Sequence, residues 1–153
     1  MHASRYLLLA LCCLLPVACT TTRPPALELP GEPADKLIYP APQTSPAVVD
    51  LLNQARDATR QGELQRAEVL LERSVRIEPR NPTLWNYLAK LRLHQGRLQE
   101  AVGLAAKSNA LAAASDDKLK ADNWRIIAHA RYQSGDVNGA KEAQRKADTY
   151  INK

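Results

Sequence analysis

The chain has 153 residues, 45% hydrophobic and 24% charged, with a formal net charge of +5. That length suits one ordinary domain of about a hundred residues beside a non-globular stretch, because apolar residues are unevenly spread and the first 46 positions lack a core pattern. The charge balance is basic, yet positive and negative side chains alternate through residues 56–148 without a long run of either. This is the pattern of a solvated helical surface, and it excludes the concentrated basic footprint of a nucleic-acid binder.

Residues 1–18 read as a signal peptide. Arg5 is the only formal charge, an apolar core runs from Leu7 to Leu15, and the small residue Ala18 stands just before Cys19. The apolar run is shorter than the roughly 20 residues needed to span a bilayer. Cleavage before Cys19 would remove Cys12 and Cys13, leaving the mature chain one thiol and no internal disulfide. Val17, Ala18 and Cys19 resemble the bacterial lipobox, with Pro16 standing where Leu is usual. The resemblance implies a Cys19 carrying thioether-linked diacylglycerol and an acylated, palmitate-type amine, and several acyl chains anchor a protein far more firmly than one. Thr20, where lipoproteins retained in the inner membrane typically carry Asp, implies sorting to the outer membrane with the folded part facing the periplasm. The alternative is an ordinary signal peptide followed by an incidental cysteine.

Residues 19–46 form the expected tether. Pro24, Pro25, Pro30, Pro33, Pro40, Pro42 and Pro46 punctuate a segment without apolar periodicity, so it is expected to remain disordered and extended. At about 3.1 Å per residue in the polyproline conformation, its maximal reach is on the order of 80 Å. A proline-rich ligand for a partner is the alternative use of "PPALELPGEP".

Residues 47–153 read as helical and repetitive. Gly62, Ala67, Leu71 and Ser74 recur 34 positions later as Gly96, Ala101, Ala105 and Ser108, and Trp85, Ala89, Gly96 and Ala101 recur 39 positions later as Trp124, Ala128, Gly135 and Ala140. A 34-residue period with small residues at helical spacing resembles the tetratricopeptide repeat, a helix-turn-helix unit. The expected fold is therefore all-α: a tetratricopeptide solenoid of three repeats, about six helices, beginning near Val48, Pro82 and Ala121. The five extra residues of the second interval are assigned to a lengthened turn around "LAAASDD".

Helix signals agree with that division. Leu51, Leu52, Ala55 and Ala58 share one helix face, as do Leu64, Ala67, Leu71 and Ser74. Ser45-Pro46 and Asn81-Pro82 each offer a capping side chain before a proline at the first helical position. Ser115, Asp116 and Asp117 offer a cap for the fifth helix. Gly62, Gly96 and Gly135 fall at the interhelical turns. Ala67, Ala101 and Ala140 allow close helix approach, and the helix from about Val137 to Ile151 carries enough charge to close the stack as a polar cap.

No catalytic constellation is present. His2 lies in the signal peptide, and His94 and His129 belong to different repeats without a second ligand at metal spacing. No nucleophile elbow, zinc-protease helix or phosphate loop occurs. The expectation is no enzyme, no cofactor, no metal and no small-molecule substrate. Instead, the resemblance to tetratricopeptide proteins implies a concave binding groove lined by the first helix of each repeat. It places Leu52, Arg56 and Arg60 there from the first repeat, Asn86, Lys90 and His94 from the second, and Arg125, His129 and Tyr132 from the third. Such donors suit a partner segment bearing carboxylates. Anchor, tether and repeats together resemble the tetratricopeptide lipoproteins that activate class A penicillin-binding proteins, which implies a peptidoglycan synthase as partner. A pilotin-like or general adaptor lipoprotein serving an outer-membrane complex is the alternative.

Overall fold

The computed structural model describes Ala41 and residues 43–152, so the signal peptide, Cys19 and nearly all of the tether lie outside the described residues. The described chain folds as six helices: α1 (Pro46–Arg60), α2 (Leu64–Ile77), α3 (Pro82–His94), α4 (Leu98–Leu111), α5 (Asp117–Gln133) and α6 (Val137–Ile151). No strand occurs among these residues. The helices pair as α1 with α2, α3 with α4 and α5 with α6; α2 packs on α3, α4 on α5, and α3 lies beside α5. This is the expected three-repeat solenoid.

The turn inside each repeat is built the same way. Gly62, Gly96 and Gly135 have φ of 76°, 73° and 87°, a left-handed conformation that a side chain disfavours. Each follows a helix end and supports the same pair of closing bonds. Gly62 N–H donates to Thr59 O and Glu63 N–H to Ala58 O; Gly96 and Arg97 donate to Leu93 O and Arg92 O; Gly135 and Asp136 donate to Tyr132 O and Arg131 O. These paired bonds satisfy the last carbonyls of α1, α3 and α5 and turn the chain back by a fixed angle.

Between repeats, side-chain caps set the helix starts. Asn81 accepts from Thr83 N–H ahead of Pro82, and Asp116 accepts from Leu119 N–H ahead of α5. Ser45 stands at the first cap with Pro46 behind it, but its side chain makes no cap bond; its backbone N–H instead donates to Glu78 Oε1 at 2.8 Å. Asn81 Nδ2 donates to Thr44 Oγ1 at 3.1 Å. Thr44, Ser45 and Pro46, assigned to the tether by composition, thus belong to the domain. The extra residues of the third repeat also lie elsewhere than expected. The turn before α5 gains one residue over the turn before α3, whereas α5 has 17 residues against 13 in α3. No proline fixes the start of α5 as Pro82 fixes that of α3, so the helix extends upstream to the Asp116 cap.

The core has two contiguous parts. Val48, Leu52, Ala55, Leu71, Leu84, Leu88 and Leu91 fill the first, and Ala89, Ala101, Ala105, Ile126, Ile127 and Ala143 the second. Because α3 feeds both, the repeats share one hydrophobic spine. Ala67, Ala101, Ala105 and Ala140 are almost wholly buried, and their small volume sets how closely the helices approach. None of the described helices is long and apolar enough to cross a membrane.

Candidate partner-binding groove

The face formed by the first helices carries only part of the expected set. Leu52 is fully buried in the core and Asn86 nearly so; neither offers a surface to a partner, and both assignments are corrected. Leu52 falls on the apolar stripe of α1 with Val48 and Ala55, so burial outweighs its place in the family pattern.

Asn86 is the start of a buried polar chain. Its Nδ2 donates to Asp122 Oδ2 and to Asn123 Oδ1, both at 2.8 Å. Asn123 Nδ2 donates in turn to Ser108 Oγ at 2.8 Å and Asn109 Oδ1 at 3.0 Å, and Ser108 Oγ donates to Pro82 O at 2.8 Å. The chain ties α3, α4 and α5 together. Buried amides left without partners would be destabilising, so this network makes the second and third repeats orient one another. Lys90 joins its rim, with Nζ 2.6 Å from Asp122 Oδ2.

The remaining groove positions stay accessible. Arg56 and Arg60 approach only Asp57, at 3.5 and 3.9 Å, on the exposed surface of α1, where such pairs contribute little. His94 is exposed, and Arg125 is half-buried without a carboxylate partner among the described residues. Tyr132 is half-buried on the last turn of α5. Gln133 Nε2 lies 2.6 Å from His129 Nε2, and burial pushes the His129 imidazole below its ordinary pKa. A neutral imidazole adds hydrogen-bonding capacity to the groove, not charge. The groove cations therefore reduce to Arg56, Arg60 and Arg125, with Lys90 held by Asp122.

The opposite face holds a feature that residue patterns did not reveal. Arg92 is buried between α2, α3 and α4, its side chain only 6% exposed, with nitrogens 2.6 Å from Glu68, 3.1 Å from Glu72 and 3.3 Å from Glu100. Gln95 accepts from Arg92 Nη1 and donates to Glu68, while Arg97 reaches Glu68 and Glu100. Bonds from Arg92 and Gln95 hold the Glu68 carboxyl down to a pKa of about 2. Beside this cluster a cleft of about 540 Å³ opens between α2 and α4, with Val75, Trp85, Leu88 and Leu104 in its lining. Trp85 donates to Pro79 O, and Lys107 Nζ stands 4.0 Å from its ring centre. Trp124 repeats the cation–π contact with Lys146 at 4.6 Å, so in the second and third repeats it fastens the second helix to the first.

Among the described residues no group of three or more His, Cys, Asp or Glu is placed to hold a metal ion.

Comparison with known proteins agrees with this architecture. The tetratricopeptide repeat family model matches residues 58–120, from the end of α1 into α5. A solved structure of the globular C-terminal domain of P. aeruginosa LpoP superposes with a TM-score of 0.66 at 36% identity, covering 69% of this chain and 99% of that domain. The chain belongs to the LpoP family of tetratricopeptide repeat proteins. Because the match spans essentially the whole LpoP domain, the six helices here correspond to a unit that stands as a globular domain in that relative. No curated protein matches the chain.

Proposed function

We propose that this protein is an outer-membrane-anchored, periplasm-facing lipoprotein that binds a class A penicillin-binding protein and activates peptidoglycan synthesis. The supporting observation is the 36% identity with the LpoP domain over 99% of that domain, joined to an anchor and tether legible upstream of the repeats. In this reading the domain acts as a regulator, supported by its likeness to LpoP and by the arginines and hydrogen-bond donors it offers on a helical scaffold. Cys19 holds the lipid, and residues 20–43 span the distance from the outer membrane towards a synthase held in the inner membrane. Arg56, Arg60 and Arg125 take carboxylates of the partner in charge-assisted, bidentate geometry. The amide chain from Asn86 to Ser108 keeps α3 and α5 in fixed register, so the groove is preorganised and little ordering is needed on docking.

The test is crosslinking in intact cells with the full-length lipidated protein, against a variant carrying Arg56→Glu, Arg60→Glu and Arg125→Glu. Lys90 stays unchanged because its reversal would set a carboxylate against Asp122. Recovery of a class A penicillin-binding protein with the native chain and its loss in the variant supports both partner and groove. Recovery of a secretin or another outer-membrane assembly component, without a synthase, overturns the reading.

A further inference from the structure

The outer face of α2 carries a basic and apolar stripe that the groove does not use. Val69 is 60% exposed and Ile77 48% exposed, and with Arg73 between them they lie four residues apart on one side of the helix. Arg76 joins this stripe to the cleft between α2 and α4, whose lining it shares with Val75, Trp85 and Leu104. Arg80 follows in the α2–α3 turn. Arg73, Arg76 and Arg80 have no carboxylate partner among the described residues, although Arg66 and Arg97 on nearby turns are paired.

The chain enters the domain at the end of this stripe. Thr44 is bonded to Asn81 and Ser45 to Glu78, directly after Arg76 and Ile77 in the sequence. Immediately upstream, residues 27–39 read "LELPGEPADKLIY": three carboxylates, Glu28, Glu32 and Asp35, one lysine, and the apolar Leu27, Leu29, Leu37, Ile38 and Tyr39. At up to about 3.5 Å per extended residue, Asp35 lies within roughly 20 Å of Ala41, and Glu28 within roughly 45 Å. The stripe from Ile77 to Val69 runs only about 12 Å along the helix, at 1.5 Å per residue. The segment is therefore long enough to lie along it. Its attachment gives an effective concentration on the order of millimolar, so an affinity too weak to capture a free peptide is enough to fill the stripe.

We infer that residues 27–39 fold back onto the outer face of α2, placing Glu28, Glu32 and Asp35 against Arg73, Arg76 and Arg80 and apolar side chains over Val69, Ile77 and the mouth of the α2–α4 cleft. Sign, composition and point of attachment all match. The docked segment withdraws about a dozen residues from the leash, so docking and release set how far the domain stands from its anchor.

The experiment is an amide NMR comparison of the full processed chain in detergent micelles with the same chain carrying Glu28→Lys, Glu32→Lys and Asp35→Lys. All three changes lie outside the helical domain and leave its core intact. Docking predicts that the amides of Val69, Arg73, Arg76 and Ile77 shift between the two chains, that the difference collapses at high salt, and that α6 amides do not move. Coincident α2 resonances in the two chains overturn the inference. Differences that grow with protein concentration assign the stripe to a second copy and overturn it as well.

Discussion

Replacing Arg92 by alanine removes the one cation on which three carboxylates converge. Breaking a buried ion pair by deleting one partner costs about 3–5 kcal/mol, but Glu68 keeps 20% exposure, Glu72 40% and Glu100 50%. Water can reach all three, and Arg97 still faces Glu68 and Glu100, so the loss falls to about 2–3 kcal/mol. With a urea m-value of about 1–3 kcal/mol/M, the unfolding midpoint should drop on the order of 1–2 M at pH 7 with unchanged slope. The same variant tests linkage. Glu68 has a folded pKa of about 2 against an ordinary 4.5, so its contribution is complete above pH 4.5 and disappears as pH falls towards 2. Freed from Arg92, Glu68 returns towards its ordinary value, and the gap between native and variant stability narrows on acidification through that window. A midpoint change below about 0.3 M at pH 7, or a gap that stays constant down to pH 2, would refute the placing of Arg92 as the charge that joins the first and second repeats.

Ala101→Leu introduces three carbons where no space remains and should destabilise by about 1–3 kcal/mol through overpacking, measured as a lowered thermal midpoint. Asn123→Ala strips partners from Asn86 and Ser108 at once, with an expected loss of about 1–3 kcal/mol and faster amide exchange where α3 meets α5. Gly96→Ala meets no neighbouring atom within 4 Å but keeps φ at 73°, so its cost of about 1–2 kcal/mol is confined to the backbone; a neutral result by denaturation would show that the turn adopts another conformation.

The scaffold was legible because its signals are local and repeated. Glycine at 62, 96 and 135, alanine at fixed offsets and the Asn81-Pro82 start each specify backbone or volume without reference to distant residues. The groove was legible only in part, because family positions say which helix faces a partner and not which side chain the core claims. Leu52 already shared a face with Ala55, and that apolar spacing was the signal against its place in the groove. Asn86 gave no such signal, since its partners Asp122 and Asn123 lie 36 and 37 residues away and meet it only through the stacking of α5 on α3. Arg92 was invisible for the same reason: a lone cation between Leu91 and Leu93 reads as surface until Glu68 and Glu72 of α2 and Glu100 of α4 are brought around it. The pairing of Trp85 with Lys107 recurs as Trp124 with Lys146 at the same 39-residue interval, so the repeat in the sequence extends to this contact as well.

The proposed function requires the repeat domain to activate a class A penicillin-binding protein through its arginine groove. The most direct measurement is the rate of glycan polymerisation by the purified synthase, alone, with the native lipoprotein in detergent, and with the Arg56→Glu, Arg60→Glu, Arg125→Glu variant, whose fold is first verified by its unfolding midpoint. Activation through the groove requires stimulation by the native protein and none by the variant. An unchanged rate with the native protein would contradict the activator reading, and equal stimulation by both would move the contact off the groove.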